Sequence, residues 1–139
     1  EIEWNNKDPF FDRDLQSFRN LHADGAISMG IIVTRGSSLQ NGFKGKMIEF
    51  ARNSNINNIE SLEQYYVPTR SQKSAILKKI NAGSSFQEAW ADTFVSSKFG
   101  KSTTHWDKLI DRVDRGVGNP CPLILIGIPL TVVTDSLLP

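Results

Sequence analysis

The sequence predicts an α/β protein in which a mixed β-sheet is flanked by helices on both sides. Residues 27–33 form an apolar run rich in β-branched side chains, and residues 122–128 form a second apolar run; both are typical of buried strands. An amphipathic helix separates the first of these runs from an alternating polar and apolar segment at residues 1–4. A strand, a helix and a strand joined by short loops predict a parallel crossover unit, and therefore an α/β sheet.

The first half of the chain is read from its hydrophobic spacing. Glu1 to Trp4 alternate between polar and apolar residues, which is the period of a half-buried strand. A turn-rich stretch follows, and a helix is then expected over residues 10–23. This helix should end at Asp24 and Gly25. Its apolar side chains recur every three or four residues and so share one face: Phe11, Leu15, Phe18 and Leu21.

The middle of the chain carries the weakest pattern. Four asparagines crowd residues 53–58, and Gly42 and Gly45 interrupt a possible helix. We interpret residues 37–70 as a partly helical insertion into a single domain that spans residues 1–139.

Three helices and a strand are predicted after this insertion. The first helix covers residues 71–82 and ends at Gly83. The second begins at Ser85, which with Glu88 has the spacing of a capping box, and runs to about Lys98. The third opens at residues 104–107 and ends at Gly116, and the apolar strand over residues 122–128 follows it.

Composition excludes several classes of protein. Sixteen basic and fifteen acidic residues leave the chain nearly neutral, so any nucleic-acid surface must be local. A single cysteine, Cys121, excludes an internal disulfide framework and a cysteine-rich zinc site. No apolar run is long enough to cross a bilayer, and no secretion signal opens the sequence. We therefore expect a cytoplasmic protein without membrane contacts.

Two glutamates open the sequence. Glu1 and Glu3 are two residues apart on a predicted strand, so their side chains leave the same face. Neighbouring ionised carboxylates repel each other unless a cation lies between them, and Mg²⁺ is a hard cation that prefers oxygen ligands. A pair of glutamates on an edge strand is also common as plain solvated surface, and the pair by itself does not decide between these alternatives.

Two longer segments resemble one enzyme family. The stretch EIEWNNKDPFF, followed by a helix and then IIVTRG, is similar to the core of restriction endonucleases of the BglII/BstYI kind. The ending RVDRGVGNPCPLILIGI resembles the helix, Gly-rich loop and strand that close the fold in that family. Together the two segments cover somewhat under half of the chain.

The resemblance implies the PD-(D/E)xK nuclease fold, with one or two Mg²⁺ ions per active site. Glu1 would be a metal ligand and catalytic residue, with the backbone carbonyl of Ile2 beside it. Glu3 would be the second catalytic and metal-binding residue; its position is lysine in many members of the superfamily and glutamine in the BglII/BstYI enzymes. The identity of the general base is therefore open, and we favour metal-activated water oriented by Glu3. The family's upstream aspartate is absent, so we expect the sequence to be N-terminally incomplete.

Two groups of residues and one arginine are candidates for contact with DNA. Amide and lysine side chains can pair with base edges or phosphates, although the first group is also good turn chemistry. The second group precedes a helix, whose free amides favour phosphate, although Thr104 could simply cap that helix and His105 could face solvent. Arg35 could contact phosphate or form a surface ion pair. The candidates are Asn5, Asn6, Lys7, Arg35, Lys101, Ser102, Thr103, Thr104 and His105.

The resemblance thus predicts a homodimeric type II restriction endonuclease of a bacterium or archaeon that cuts both strands of a palindromic site in double-stranded DNA. An isologous dimer matches the two-fold symmetry of such a site. Two alternatives remain. The protein could be a nuclease of another purpose, such as a repair or nicking enzyme, or a catalytically inactive DNA-binding module.

Overall fold

A computed structural model describes residues 1–134 of the chain. The described residues form three strands, six α-helices and one 3-10 helix, Leu130–Val132. In chain order the elements are β1 (Ile2–Glu3), α1 (Phe10–Ala23), β2 (Gly30–Arg35), α2 (Ser37–Asn53), α3 (Ile59–Leu62), α4 (Arg70–Asn81), α5 (Phe86–Lys98), α6 (Trp106–Asp114) and β3 (Leu123–Ile128).

The sheet has the order β1-β2-β3, and both strand pairs are parallel. A mixed sheet was expected, so this part of the expectation is corrected for residues 1–134. The reason lies in the connections, because β1 and β2 are each followed by at least one helix that returns the chain to the end of the sheet from which the strand started. Antiparallel pairing within the same residues is confined to an isolated bridge between Lys7 and Thr103.

The chain divides into two compact units. The first consists of residues 1–41 and 101–132 and contains the whole sheet. The second consists of residues 42–100 and the described residues after 132. The prediction of a single domain with an insertion at residues 37–70 stays a prediction.

Helices α1 and α6 cover one face of the sheet in the first unit. Phe11 and Leu15 of α1 and Leu109 of α6 are fully buried together with Ile32 of β2. At Gly127 of β3 an added Cβ would lie 2.8 Å from Trp106 Cε3, so this glycine permits the close approach of the α6 start to the sheet.

The opposite face of the sheet is different. In the described chain Ile31, Ile124 and Ile126 point to that face, and each is more than 40% exposed. Helical cover on both faces, which the sequence predicted, is therefore not found over these three side chains in residues 1–134.

The second unit has its own core. Helix α4 packs against α5, and capping boxes begin α3, α4 and α5 at Asn58, Thr69 and Ser85. The predicted capping box at Ser85 and Glu88 is thereby confirmed. The buried members of this core are Ala51, Ile56, Leu62, Ile76, Ala89 and Trp90.

None of the helices within residues 1–134 is both long enough and apolar enough to cross a membrane.

Candidate active site

Glu1 and Glu3 leave the same face of β1, the edge strand of the described sheet. Their environments differ, because Glu1 is exposed whereas Glu3 is only 2% exposed. The Glu3 backbone is held by Thr34, whose hydroxyl donates a hydrogen bond of 2.7 Å to the Glu3 carbonyl oxygen. Carbonyl groups alternate along a strand, and the Glu1 carbonyl oxygen accepts from the Val33 amide. The Ile2 carbonyl therefore points away from β2, toward the open edge.

The carboxylate of Glu3 is surrounded by polar groups. Asn6 Nδ2 donates a hydrogen bond of 2.8 Å to Glu3 Oε2. Arg13 Nη2 lies 3.5 Å from Glu3 Oε1. Burial raises the pKa of Glu3, the Asn6 amide opposes this shift, and the neighbouring Asp14 carboxyl adds to it. A buried carboxyl of this kind depends on its neighbours for any compensation of its charge.

Arg13 and Asp14 are the two members of this site that the sequence analysis missed. Both lie on α1, and Asp14 is 3% exposed. Arg13 donates hydrogen bonds of 2.8 Å from Nε and 2.7 Å from Nη2 to Asp14 Oδ1. The sequence could have indicated Asp14, because this residue lies at helical spacing within the apolar stripe of Phe11, Leu15 and Phe18. An acid on a core-facing stripe is uncommon and needs a partner.

The arrangement can be compared with what Mg²⁺ requires. Among residues 1–134, no group of three or more His, Cys, Asp or Glu side chains is arranged to hold a metal ion. Mg²⁺ is however commonly held by one or two carboxylates together with water and substrate phosphates. Asp14 Oδ2 is buried and has no hydrogen-bond partner, next to the Glu3 carboxylate. The carboxylates therefore fit a Mg²⁺ ion completed by water and phosphate, but they do not form a complete protein cage.

The two groups of candidate DNA contacts lie side by side. The Thr104 amide donates to the Asn6 carbonyl oxygen at 2.8 Å, and the Asp8 amide donates to the Ser102 carbonyl oxygen at 3.0 Å. With the Lys7–Thr103 bridge, these bonds pair residues 6–8 with residues 102–104, within the longer segments 5–8 and 101–104. We call this pair of segments the polar ridge. Its exposed members are Asn5, Asn6, Lys7, Lys101 and Ser102.

Arg35 supports the polar ridge from beneath. It is 1% exposed, and its Nη2 donates to Thr103 Oγ1 at 2.6 Å and to the Thr104 carbonyl oxygen at 2.5 Å. Its Nη1 donates to Gln40 Oε1. Burial lowers the pKa of Arg35 to about 10. Arg35 was expected to lie on the surface, and this expectation is corrected because the residue is buried. Its guanidinium donates hydrogen bonds that hold the second segment of the ridge.

Thr104 and His105 are also below the surface, at 0% and 6% exposure, although the sequence analysis expected surface residues. Thr104 does not cap α6, since the N-cap residue is His105, whose side chain makes no capping hydrogen bond. Burial lowers the pKa of His105, which favours a neutral ring. Beside these residues is a pocket of about 380 Å³ lined by Gln40, Asn41, Lys101, His105, Asp107 and Lys108.

Comparison with known proteins adds one finding. The family model of restriction endonuclease BglII/BglIII matches residues 1–128 of the chain, which include both units' helices and all three strands. No curated protein and no solved structure matches the chain.

Proposed function

The chain belongs to the BglII/BglIII restriction endonuclease family, and we propose that it is a type II enzyme that hydrolyses phosphodiester bonds in both strands of a short palindromic DNA site. The match of the family model over residues 1–128 carries this proposal. Further support comes from β1, where a buried and an exposed glutamate share one face beside the polar ridge. We assign the fold to the PD-(D/E)xK superfamily on the same basis.

In this proposal Glu1, the Ile2 carbonyl and Glu3 contribute oxygen ligands to one or two Mg²⁺ ions. When bound, Mg²⁺ would supply Lewis-acid stabilisation of the charge that develops on the scissile phosphate and would favour ionisation of the attacking water. Glu3 orients that water and accepts its proton, and the Asn6 amide fixes its carboxyl in position. Asn6 therefore acts through Glu3 in addition to any contact with DNA.

Cleavage of plasmid DNA tests this function. We expect the protein to convert a plasmid into discrete fragments when Mg²⁺ is present, and a chelator to abolish the activity. Glu1→Ala and Glu3→Ala should each lose cleavage, whereas the exposed Glu60→Ala, in the first turn of α3, should retain it. Activity that survives a chelator, or degradation without discrete fragments, would contradict the proposal.

The two alternatives give other outcomes in the same assay. A repair or nicking enzyme would convert supercoiled plasmid to open circles without double-strand breaks. A catalytically inactive DNA-binding module would retard DNA in a gel but leave it intact, and calorimetry would detect no difference in Mg²⁺ binding between wild type and Glu1→Ala.

The polar ridge is the proposed DNA surface. Its exposed lysines, Lys7 and Lys101, would contact phosphates, while the exposed Asn5, Asn6 and Ser102 would face the bases or the backbone. Arg35, Thr103, Thr104 and His105 would hold or complete this surface. Replacing Lys7 or Lys101 with alanine should lower the slope of log affinity against log salt by about one unit each. Lys78→Ala, on an exposed helix face of the second unit, is the matched control.

Homodimer formation completes the proposal. A palindromic duplex has two-fold symmetry, so an isologous dimer would present one active site to each strand. Sedimentation of the protein with a palindromic duplex tests this, and a complex of one subunit per duplex would contradict it. We also propose that residues 1–139 act as one endonuclease domain with an insertion at 37–70, in the cytoplasm of a bacterium or archaeon.

A further inference from the structure

We propose that Asp14 joins Glu3 in holding the divalent cation, and that the Arg13 guanidinium occupies the position between these carboxylates when the cation is absent. The inference rests on the proposed nuclease function and extends its site from β1 to α1. It assigns a metal ligand and a positioning residue that neither the sequence pattern nor the family match names.

Asp14 is a buried acidic residue. This residue is 3% exposed and lies on the stripe of α1 that faces the sheet. Arg13 satisfies its Oδ1, but Oδ2 is buried without a hydrogen-bond partner. An ionised carboxylate in that state is costly, since no amide, guanidinium or hydroxyl donor replaces the water lost from one of its oxygens. A cation bound at Oδ2 would remove this cost.

The Asp14 and Glu3 carboxylates share one guanidinium. The same nitrogen, Arg13 Nη2, lies 2.7 Å from Asp14 Oδ1 and 3.5 Å from Glu3 Oε1. Two carboxylates this close repel each other unless positive charge lies between them. In the cation-free protein that charge is a guanidinium, with Glu1 near enough to add to its stabilisation.

Arg13 lies at the protein surface and can move away from the two carboxylates. Its side chain is 59% exposed, and it stacks on the Phe10 ring at 4.4 Å on the outer side of α1. The two carboxylates are buried and fixed, whereas the guanidinium has solvent beside it. Exchange of Arg13 for Mg²⁺ therefore needs only a side-chain rotation. Mg²⁺ is satisfied by two carboxylates with water and substrate phosphate.

A purely structural role for Arg13 and Asp14 makes different predictions. If the three side chains only join α1 to β1, removing Arg13 would weaken the protein without tightening cation binding. If Arg13 competes with the cation, Arg13→Gln should bind the cation more tightly, because the competitor is gone.

Binding of Mn²⁺ alone, followed by electron paramagnetic resonance, measures the competition without DNA. We expect Asp14→Asn to weaken Mn²⁺ binding at least tenfold and Arg13→Gln to tighten it severalfold. Two controls lie on the same helix. Asp12→Asn changes an acid that instead accepts from Arg112, and Arg19→Gln changes an exposed arginine; both should bind Mn²⁺ as wild type does. Circular dichroism checks that each variant is folded.

The proposal is overturned if folded Asp14→Asn binds Mn²⁺ like wild type, or if Arg13→Gln binds it no more tightly. If Asp14→Asn does not fold, nuclear magnetic resonance of the wild-type protein locates the bound Mn²⁺ independently. Line broadening by Mn²⁺ in nuclear magnetic resonance spectra should first affect the amides around Glu3 and Asp14. Broadening confined to exposed acids such as Asp111 and Asp114 would also overturn it.

The outcomes separate this inference from the proposed function. If the variants change Mn²⁺ binding as expected but the protein does not cleave DNA, the nuclease function is contradicted and the cation site stands. If the protein cleaves DNA but Asp14→Asn and Arg13→Gln bind Mn²⁺ as wild type does, the proposed function stands and the inference is contradicted.

Discussion

At the scale of single residues, Glu3 is the side chain on which the candidate site depends. Its carboxylate is buried, its backbone is held by Thr34, and its Oε2 accepts a hydrogen bond from Asn6. An exposed carboxylate can adopt many rotamers, whereas these contacts hold the Glu3 carboxylate in one. This preorganisation is what orientation of a reacting water requires.

Glu3→Gln separates proton transfer from orientation. Glutamine keeps the shape of the side chain but cannot accept a proton, so we expect single-turnover cleavage with Mg²⁺ to fall about a hundredfold or more. Glu60→Gln should have no effect. Undiminished single-turnover cleavage by Glu3→Gln would remove Glu3 from the role of general base and leave it the role of orienting water.

His105 predicts a dependence of stability on pH. Burial lowers its pKa, Asp107 and the hydrogen bond to the Lys101 backbone oppose the shift, and Arg35 and Lys108 add to it. Its neutral ring therefore contributes stability that is present above the ordinary histidine pKa of about 6.5 and is lost as pH falls through the lower value in the folded protein.

The measurement is the melting temperature between about pH 7.5 and about pH 5 in the presence of a chelator. His105→Gln should lose less of its melting temperature over this range than wild type, because it has no ring to protonate. The same substitution at the other histidine, His22→Gln, should follow wild type. A His105→Gln profile parallel to that of wild type would contradict the prediction.

At the scale of elements, the polar ridge is formed by two segments far apart in sequence. Backbone hydrogen bonds pair residues 6–8 with residues 102–104, and Arg35 at the end of β2 holds the second segment from below. On α6, Arg112 donates at 2.8 Å to Asp12 of α1 and ties the helices that follow the two segments. The ridge is thus anchored by two buried guanidinium groups.

Removing the Arg35 anchor should be costly. Arg35→Met deletes the donors to Thr103, to the Thr104 carbonyl oxygen and to Gln40, and we expect a loss of about 2–4 kcal/mol in the free energy of unfolding. Urea denaturation measures this. Arg115→Met removes an exposed pair with Asp111 on α6 and should leave the midpoint unchanged. Equal urea midpoints for Arg35→Met and Arg115→Met would show that Arg35 does not stabilise the ridge.

At the scale of the whole molecule, the chain has two compact units with separate cores. Ile32 belongs to the core of the first unit and Ile76 to that of the second, and both are fully buried. Truncating either side chain leaves a cavity. Because the cores are separate, the local consequences should differ between the variants.

Ile32→Ala and Ile76→Ala form a reciprocal pair. Each should cost about 2–5 kcal/mol of unfolding free energy. Amide hydrogen exchange should then accelerate mainly within residues 1–41 and 101–132 for Ile32→Ala, and mainly within residues 42–100 for Ile76→Ala. Uniform acceleration along the whole chain in both variants would indicate a single cooperative unit instead.

Much of the fold could be predicted from local spacing. The helix over residues 10–23 was predicted with the bounds of α1, and the strands at residues 27–33 and 122–128 correspond to β2 and β3 with shifts of a few residues. The capping box at Ser85 could be predicted because its two residues, Ser85 and Glu88, are only three positions apart. Helix α2 was underestimated, since Gly42 and Gly45 lower helix propensity without preventing a helix.

By itself the sequence determined the α/β class, most of the helices, and the common face of Glu1 and Glu3, because these depend on residues two to four positions apart. Only the tertiary structure decided that Asp14 and Arg13 meet Glu3, that Arg35 and His105 are buried, and that β3 is also parallel to β2. Those features depend on where α1, α6 and the distant loops pack. Packing is set by the free energy of the whole folded chain, which no short pattern contains.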